Sequence, residues 1–307
     1  MAGWPPPEQD NAVTKPKAPG ELQLLLDEIA PGRLTTIVDV GANPVNEPPY
    51  HLLRQLGACH VVGFEPEARA FAALEAARRP NETNYNLAVG DGGTRELHLY
   101  RHESMTSIFP PYLPGLKAVS WARMGLVRGA ARLQTVALDE VAGLPPFDLM
   151  KIDIQGAETL AFQGARRMLS QAVAVIVELR YQRLYEGEPM LGDTDMELTG
   201  QGFCLHKFLF NKSRMLLHSQ AARVRRRYMA DQLIDGDAVY LRNIAEPEAL
   251  GDDQLRHLAI LAGSVFQSHS LVLYCLDELV RRKRAARDLP KRYVDALPAH
   301  LRRDDAD

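Results

Sequence analysis

Short β-branched, apolar runs alternate with stretches of helical spacing through most of this sequence. Thr35–Val40, His60–Phe64, Asn84–Val89 and Asp148–Ile154 read as strands. Val173–Leu179 stays apolar up to Glu178, as a central parallel strand covered on both faces does. Arg95–Arg101 alternates like one arm of a hairpin, and Phe203–Phe210 and Ala238–Leu241 supply two last strands. Between these runs, Glu21–Ala30, Tyr50–Leu56, Thr159–Leu169 and Met190–Thr199 have helical periodicity. Pro66–Arg79 carries end signals as well: Pro66 in the first turn, Glu67 near the positive end, Arg78 and Arg79 at the negative end and Pro80 just beyond. Residues 103–133 keep no period and are expected to be irregular.

Two segments depart from the alternation. Residues 1–20 hold five prolines and few large apolar side chains, too little to offset ordering entropy, so a flexible tail is expected there. After Ala245-Glu246-Pro247-Glu248 the pattern is helical only, with Leu255, Leu258, Leu261, Ala262 and Val265 on one helix and Leu273, Leu276, Leu279 and Val280 on a second. The expected division is a tail (1–20), an α/β domain (21–245) and a C-terminal helical hairpin appendage (246–307) that offers a surface for self-association. Strand–helix units of this kind wind into an open, mostly parallel sheet, and ligands of such sheets sit at the carboxyl ends of the strands. Here those ends are Gly41–Asn43, Glu65–Pro66, Leu87–Ala88, Asp153 and Glu178.

Composition narrows the class. Of the 307 residues, 46% are hydrophobic and 24% charged, which excludes wholesale disorder. The longest aliphatic run, Ala172–Val177, is far short of the roughly 20 residues a membrane helix needs. Cys59, Cys204 and Cys275 form no CxxC pair, and no export pattern opens the chain, so a reducing, cytoplasmic setting is expected. The net charge of −3 argues against a general nucleic-acid binder. It hides an acid-free stretch, Leu198–Ala230, that holds Lys207, Lys212, Arg214, Arg223, Arg225, Arg226 and Arg227. If that stretch leaves the sheet on its carboxyl edge, Arg223 and Arg225 are placed to clamp an anionic acceptor; the plain alternative is a solvated loop.

The chemistry concentrates at the strand ends. Gly41, in Val38-Asp39-Val40-Gly41-Ala42-Asn43, lets a backbone approach a ligand, and Asp39 on an apolar strand needs a cation or donors. Glu65 follows 24 residues after Gly41, a spacing that suits a carboxylate accepting ribose hydroxyls. The further glycines of a diphosphate cradle are missing. A nucleoside ligand with a positive group, such as S-adenosylmethionine, fits this turn; the plain alternative is that Asp39 and Gly41 only shape it.

VDVGAN (38–43), GFEP (63–66), LAVGDGG (87–93), KIDIQGAE (151–158) and VIVELR (175–180) together resemble the FkbM family of S-adenosylmethionine-dependent methyltransferases. The resemblance covers roughly residues 35–243. It implies a Rossmann-like class I methyltransferase fold, a seven-stranded sheet with its last strand antiparallel, and O-methylation of a sugar, glycan or other small metabolite. It also implies that Asp39, Gly41, Ala42 and Asn43 line the methionine part, Glu65 and Pro66 the ribose, and Leu87 and Ala88 the adenine. The sequence departs from the family after Asn43, where Pro44-Val45-Asn46-Glu47-Pro48-Pro49-Tyr50 replaces a glycine-containing turn and helix start.

An aliphatic hydroxyl is barely ionised at neutral pH and needs a base or a metal. Asp153 and Glu178 end neighbouring strands, so they can serve as a general-base pair or as hard oxygen ligands for Mg²⁺. The alternatives are a helix cap for Asp153 and an ion pair with Arg180 for Glu178. His98, His102, His206 and His218 have no metal-ligand spacing and read as ordinary histidines. Ser107, with Ser104 and Thr106, matches a hydroxyl-rich family segment that can touch cofactor or acceptor. A different class of function, a catalytically inactive Rossmann-like nucleoside-binding or interaction module, is the competing reading.

Overall fold

The computed structural model describes residues 17–43 and 47–303. Most of the expected tail, and the first three residues (44–46) of the departure at 44–50, lie outside the described residues. In chain order come α1 (Gly20–Glu28), β1 (Thr35–Val40), α2 (His51–Leu56), β2 (Cys59–Phe64), α3 (Ala68–Ala76), β3 (Glu82–Tyr85), β4 (Ala88–Val89) and β5 (Thr94–Tyr100). Then follow α4 (Leu113–Ala118), β6 (Val127–Val136), β7 (Leu149–Ile152), α5 (Glu158–Gln163), α6 (Arg166–Leu169), β8 (Ala174–Arg180) and α7 (Leu191–Gly200). The chain closes with β9 (Phe203–Arg214), β10 (Gln232–Arg242), α8 (Asp252–Ser264), α9 (His269–Arg281) and α10 (Leu289–Ala296).

Seven strands pair in the order β3-β2-β1-β7-β8-β10-β9. Neighbours from β3 to β8 are parallel, and β10 runs antiparallel to both β8 and β9. The order reverses between β1 and β7, which is where such a sheet opens a crevice. Alternation of side chains separates two cores. Val38, Val62, Met150 and Val175 face α5, α6 and α7. Ile37, Leu149, Ile176 and Val239 face the other way, into one cluster with α1, α8, α9 and α10. The helical pair read from the sequence thus continues into a third helix, and buried Leu255, Leu258 and Leu276 belong to the same apolar cluster as the sheet. Each such leucine, fully buried, is worth about 2 kcal/mol relative to exposure.

Local chemistry moved several expected boundaries. Helix α3 starts after Pro66, because the Glu67 carboxylate caps it by accepting from Arg69 and Ala70 N–H. The single run Asn84–Val89 is two strands: the Asn86 side chain donates to the Glu65 and Pro66 carbonyls, turning the chain so that β4 leaves the main sheet for a second one, β4-β6-β5. Strand β6 occupies part of the segment expected to be irregular; most of its side chains are exposed, so no apolar alternation marks it. The helix expected over Thr159–Leu169 breaks at Gly164, where a Cβ would stand 2.1 Å from the Gly90 carbonyl oxygen.

Candidate functional site

At the carboxyl edge of the sheet the inward row changes from apolar to charged. Ile37 is followed by Asp39 on β1, Leu149 by Lys151 and then Asp153 on and after β7, and Ile176 by Glu178 on β8. Register sets Asp39 beside Lys151 and Asp237 beside Glu178. The cation that Asp39 requires is therefore supplied by the chain: Lys151 Nζ lies 3.1 Å from Oδ1, and the Tyr50 hydroxyl donates to Oδ2 at 2.5 Å. Burial works against a charged Lys151, but Asp39 and Asp153 outweigh it and its pKa is raised. Burial, then the Asp39 charge, push the Tyr50 phenol well above its ordinary value.

Gly41 crosses this edge at φ +80°, and a Cβ on it would sit 2.2 Å from the Asp153 carbonyl oxygen. Only glycine allows that approach. Gly41 and Ala42 N–H both donate to the Phe64 carbonyl, so the turn after β1 is tied to the end of β2; Ala42 is buried and Asn43 exposed. Glu65, buried just beyond β2, accepts from Glu67 N–H at 2.8 Å, and burial raises its pKa. Pro66 is exposed, Leu87 half-buried and Ala88 buried in β4.

Asp153 and Glu178 come together through a residue the sequence reading passed over. Gln155 sits in the left-handed region at φ +55°, and its amide donates to Asp153 Oδ1 (2.8 Å) and Glu178 Oε2 (3.0 Å). Its backbone carbonyl accepts from the Ser107 hydroxyl at 2.7 Å, so Ser107 braces this turn. Such a strained non-glycine residue is held by its surroundings and clusters at functional sites. Asp153 does not cap α5, whose N-cap is Ala157. Glu178 does pair with Arg180, at 2.9 Å. Arg180 is itself buried and also meets Asp235 (3.0 Å) and Glu188 (3.2 Å).

Glu158 completes the cluster: one oxygen each from Asp153, Glu158 and Glu178 lie within 4.8 Å of one another. Glu158 Oε1 accepts from Ile154 and Gly156 N–H. Burial, with mutual repulsion among the acids, pushes Glu158 up to about 7, Asp237 to about 6 and Glu178 well above the usual carboxylate range. Leaving aside Glu178, which holds its proton, the acids 39, 153, 158, 188, 235 and 237 outnumber the cations Lys151, Arg180 and Lys212, so the edge favours a positively charged guest.

Arg223 and Arg225 are exposed on the β9–β10 connection; the side-chain bond Arg223 makes is to Gln220, within that loop. Neither is hydrogen-bonded to the carboxylate cluster. Lys151 and Asp237 carry a signal that was legible, a charge on a buried strand that demands a partner. Gln155 and Tyr50 carry none.

A parallel sheet whose order reverses beside β1, with antiparallel β10 set inside the β9 edge, is the class I methyltransferase fold. The model of the methyltransferase FkbM domain matches residues 39–205, and the chain belongs to that family. A relative, 2-O-methyltransferase NoeI of Sinorhizobium fredii, is 28% identical over 170 residues, a match spanning 50% of this chain and 66% of that protein. Among solved structures, methyltransferase FkbM from Methylobacillus flagellatus KT is 15% identical with a TM-score of 0.37, over 68% of this chain and 43% of that one. Magnesium protoporphyrin IX methyltransferase from Synechocystis PCC 6803, solved with bound SAM, is 14% identical with a TM-score of 0.34, over 73% of this chain and 80% of that one. Strand order, not these two likenesses, defines the fold here.

Proposed function

We propose that the chain transfers the methyl group of S-adenosylmethionine to a hydroxyl oxygen of a sugar, glycan or other small metabolite. The observation that carries this is the acid-rich, glycine-hinged edge at the β1/β7 switch point, which suits a sulfonium and an ammonium and whose sequence lacks the further glycines of a diphosphate cradle. The NoeI relative's name supports oxygen as the acceptor atom. In this reading the turn Gly41-Ala42-Asn43, with Asp39 beneath it, receives the methionine end. Glu65, with Pro66, takes the ribose hydroxyls, and Leu87 and Ala88 line the adenine.

Methyl transfer is an in-line displacement: the acceptor oxygen forms a bond to the methyl carbon as the carbon–sulfur bond breaks and S-adenosylhomocysteine leaves. Most of the acceleration then comes from orientation. The hydroxyl proton goes to Asp153, which Gln155 orients, while Glu178, with its raised pKa, holds a proton nearby. The three carboxylates 153, 158 and 178 are an all-oxygen donor set that suits Mg²⁺, and an ion held there would lower the pKa of the acceptor hydroxyl.

Thermal unfolding with S-adenosylmethionine or S-adenosylhomocysteine tests the cofactor: a ligand at a hundredfold excess over its Kd adds about 2.7 kcal/mol. No shift with either removes the proposal. Given binding, turnover that survives a chelator assigns the chemistry to Asp153 as base, and turnover lost with it assigns the chemistry to an ion. Binding without turnover on any hydroxylated acceptor, with Asp153→Asn indistinguishable from wild type, supports the non-catalytic nucleoside-binding reading.

A further inference from the structure

The β9–β10 connection, residues 215–231, leaves the carboxyl edge of the sheet because β9 runs parallel to β8. Apart from the single turns Ala221–Arg223 and Arg226–Tyr228 it has no regular structure. Among the described residues, Arg214, Arg223, Arg225, Arg226 and Arg227 pair with no carboxylate. The other basic run differs: Arg281, Arg282 and Arg284 meet Glu278 or Asp252. On either side of the run Arg223–Arg227 stand Leu216, Leu217, Tyr228 and Met229, which are 50%, 60%, 67% and 41% exposed.

The loop is anchored at its base. Leu217 N–H donates to the Ala118 carbonyl at 2.7 Å, and the Arg214 guanidinium lies over the Trp121 ring at 4.9 Å. Scattered exposed apolar residues are ordinary on a surface. A set of them on both sides of a run of arginines without carboxylate partners, on a tethered loop in a chain whose other residues sum to a net charge of −6, is not.

We propose that residues 215–231 dock the protein on an anionic lipid bilayer. Leu216, Leu217, Tyr228 and Met229 enter the boundary between headgroups and acyl chains, and Arg223, Arg225, Arg226 and Arg227 meet the lipid phosphates. No helix among the described residues is long and apolar enough to cross a membrane, so the contact is peripheral. A single-stranded nucleic acid is matched by cations beside free aromatic platforms. Here protruding aliphatics dominate, and one face of the Tyr228 ring is taken by the Arg227 guanidinium at 4.6 Å. The loop opens on the same edge as the carboxylate cluster, so docking turns that cluster toward the membrane surface. The inference rests on the loop alone and does not depend on methyl transfer.

The full chain is sedimented with unilamellar vesicles of phosphatidylcholine alone, or of phosphatidylcholine and phosphatidylglycerol in equal parts. Binding to the anionic vesicles only, weakening with added salt, is expected. Each arginine lost weakens partitioning about fivefold, so Arg226→Glu with Arg227→Glu weakens it by at least about 25-fold. Leu216→Ser with Leu217→Ser weakens it at unchanged charge. Melting curves matching wild type show that the variants are folded, and the comparison of the two vesicle compositions needs no variant. The proposal is overturned by no sedimentation, by equal binding to neutral vesicles, by binding that neither pair of substitutions alters, or by tighter binding of a single-stranded RNA at the same salt.

Discussion

Replacing Lys151 with methionine isolates the ion pair at the centre of the site. The Asp39 side chain is 5% exposed and that of Lys151 19%, with 3.1 Å between the charges. At an effective dielectric near 20 the attraction is about 5 kcal/mol before desolvation, and desolvation of two ions cancels much of it. The whole pair is therefore worth little, but half of it is worth a great deal. Lys151→Met keeps the stem's apolar volume and leaves a buried carboxylate with only the Tyr50 hydroxyl, an arrangement that costs about 3 kcal/mol or more. Urea unfolding followed by circular dichroism reads this as a lower midpoint at unchanged slope. Adding Asp39→Asn to Lys151→Met removes the orphaned charge, so the double variant is expected to recover most of the loss. A single variant within about 1 kcal/mol of wild type, or a double variant no more stable than the single, refutes the assignment of Lys151 as the partner of Asp39.

Gly41→Ala forces an alanine to φ +80° with its methyl 2.2 Å from the Asp153 carbonyl; a loss of at least about 3 kcal/mol in urea unfolding is expected, since the strain and the backbone clash act together. Gln155→Ala frees Asp153 and Glu178 from their shared donor; turnover is expected to fall at least about tenfold while the Kd for S-adenosylmethionine, measured by calorimetry, holds. Glu158, raised from 4.5 to about 7, binds its proton more tightly folded than unfolded, so its contribution is full below pH 4.5 and is lost as pH rises through about 7. Glu158→Gln, which keeps the bonds from Ile154 and Gly156, is expected to gain on wild type across that window by up to about 3 kcal/mol in a pH series of melts. Buried His257 acts in the opposite sense: its pKa is lowered by burial, so stability falls as pH drops below 6.5, and His257→Gln flattens that limb in the same series.

Much of this is legible in the sequence. Thr35–Val40, His60–Phe64 and Val173–Leu179 announce buried parallel strands because covered strands are apolar on both faces, and the charged residues that end them mark the functional edge. Strand β6 was hidden because a strand exposed on both faces has no pattern to show. Residues 84–89 hid a change of sheet because the turn depends on one side chain, Asn86, reaching carbonyls about twenty positions earlier.

The sequence by itself determined the alternation of the central buried strands with helices, the family, and which carboxylates stand at strand ends, since periodicity and short motifs are local properties of the chain. Only the tertiary structure decided who meets whom. It gave Asp39 to Lys151 and Tyr50, set Gln155 between Asp153 and Glu178, placed Arg180 among three acids, and left the arginines of residues 215–231 without a carboxylate partner among the described residues. Those pairings are fixed by strand register and by a positive-φ turn, distances set through the fold between residues far apart in the chain.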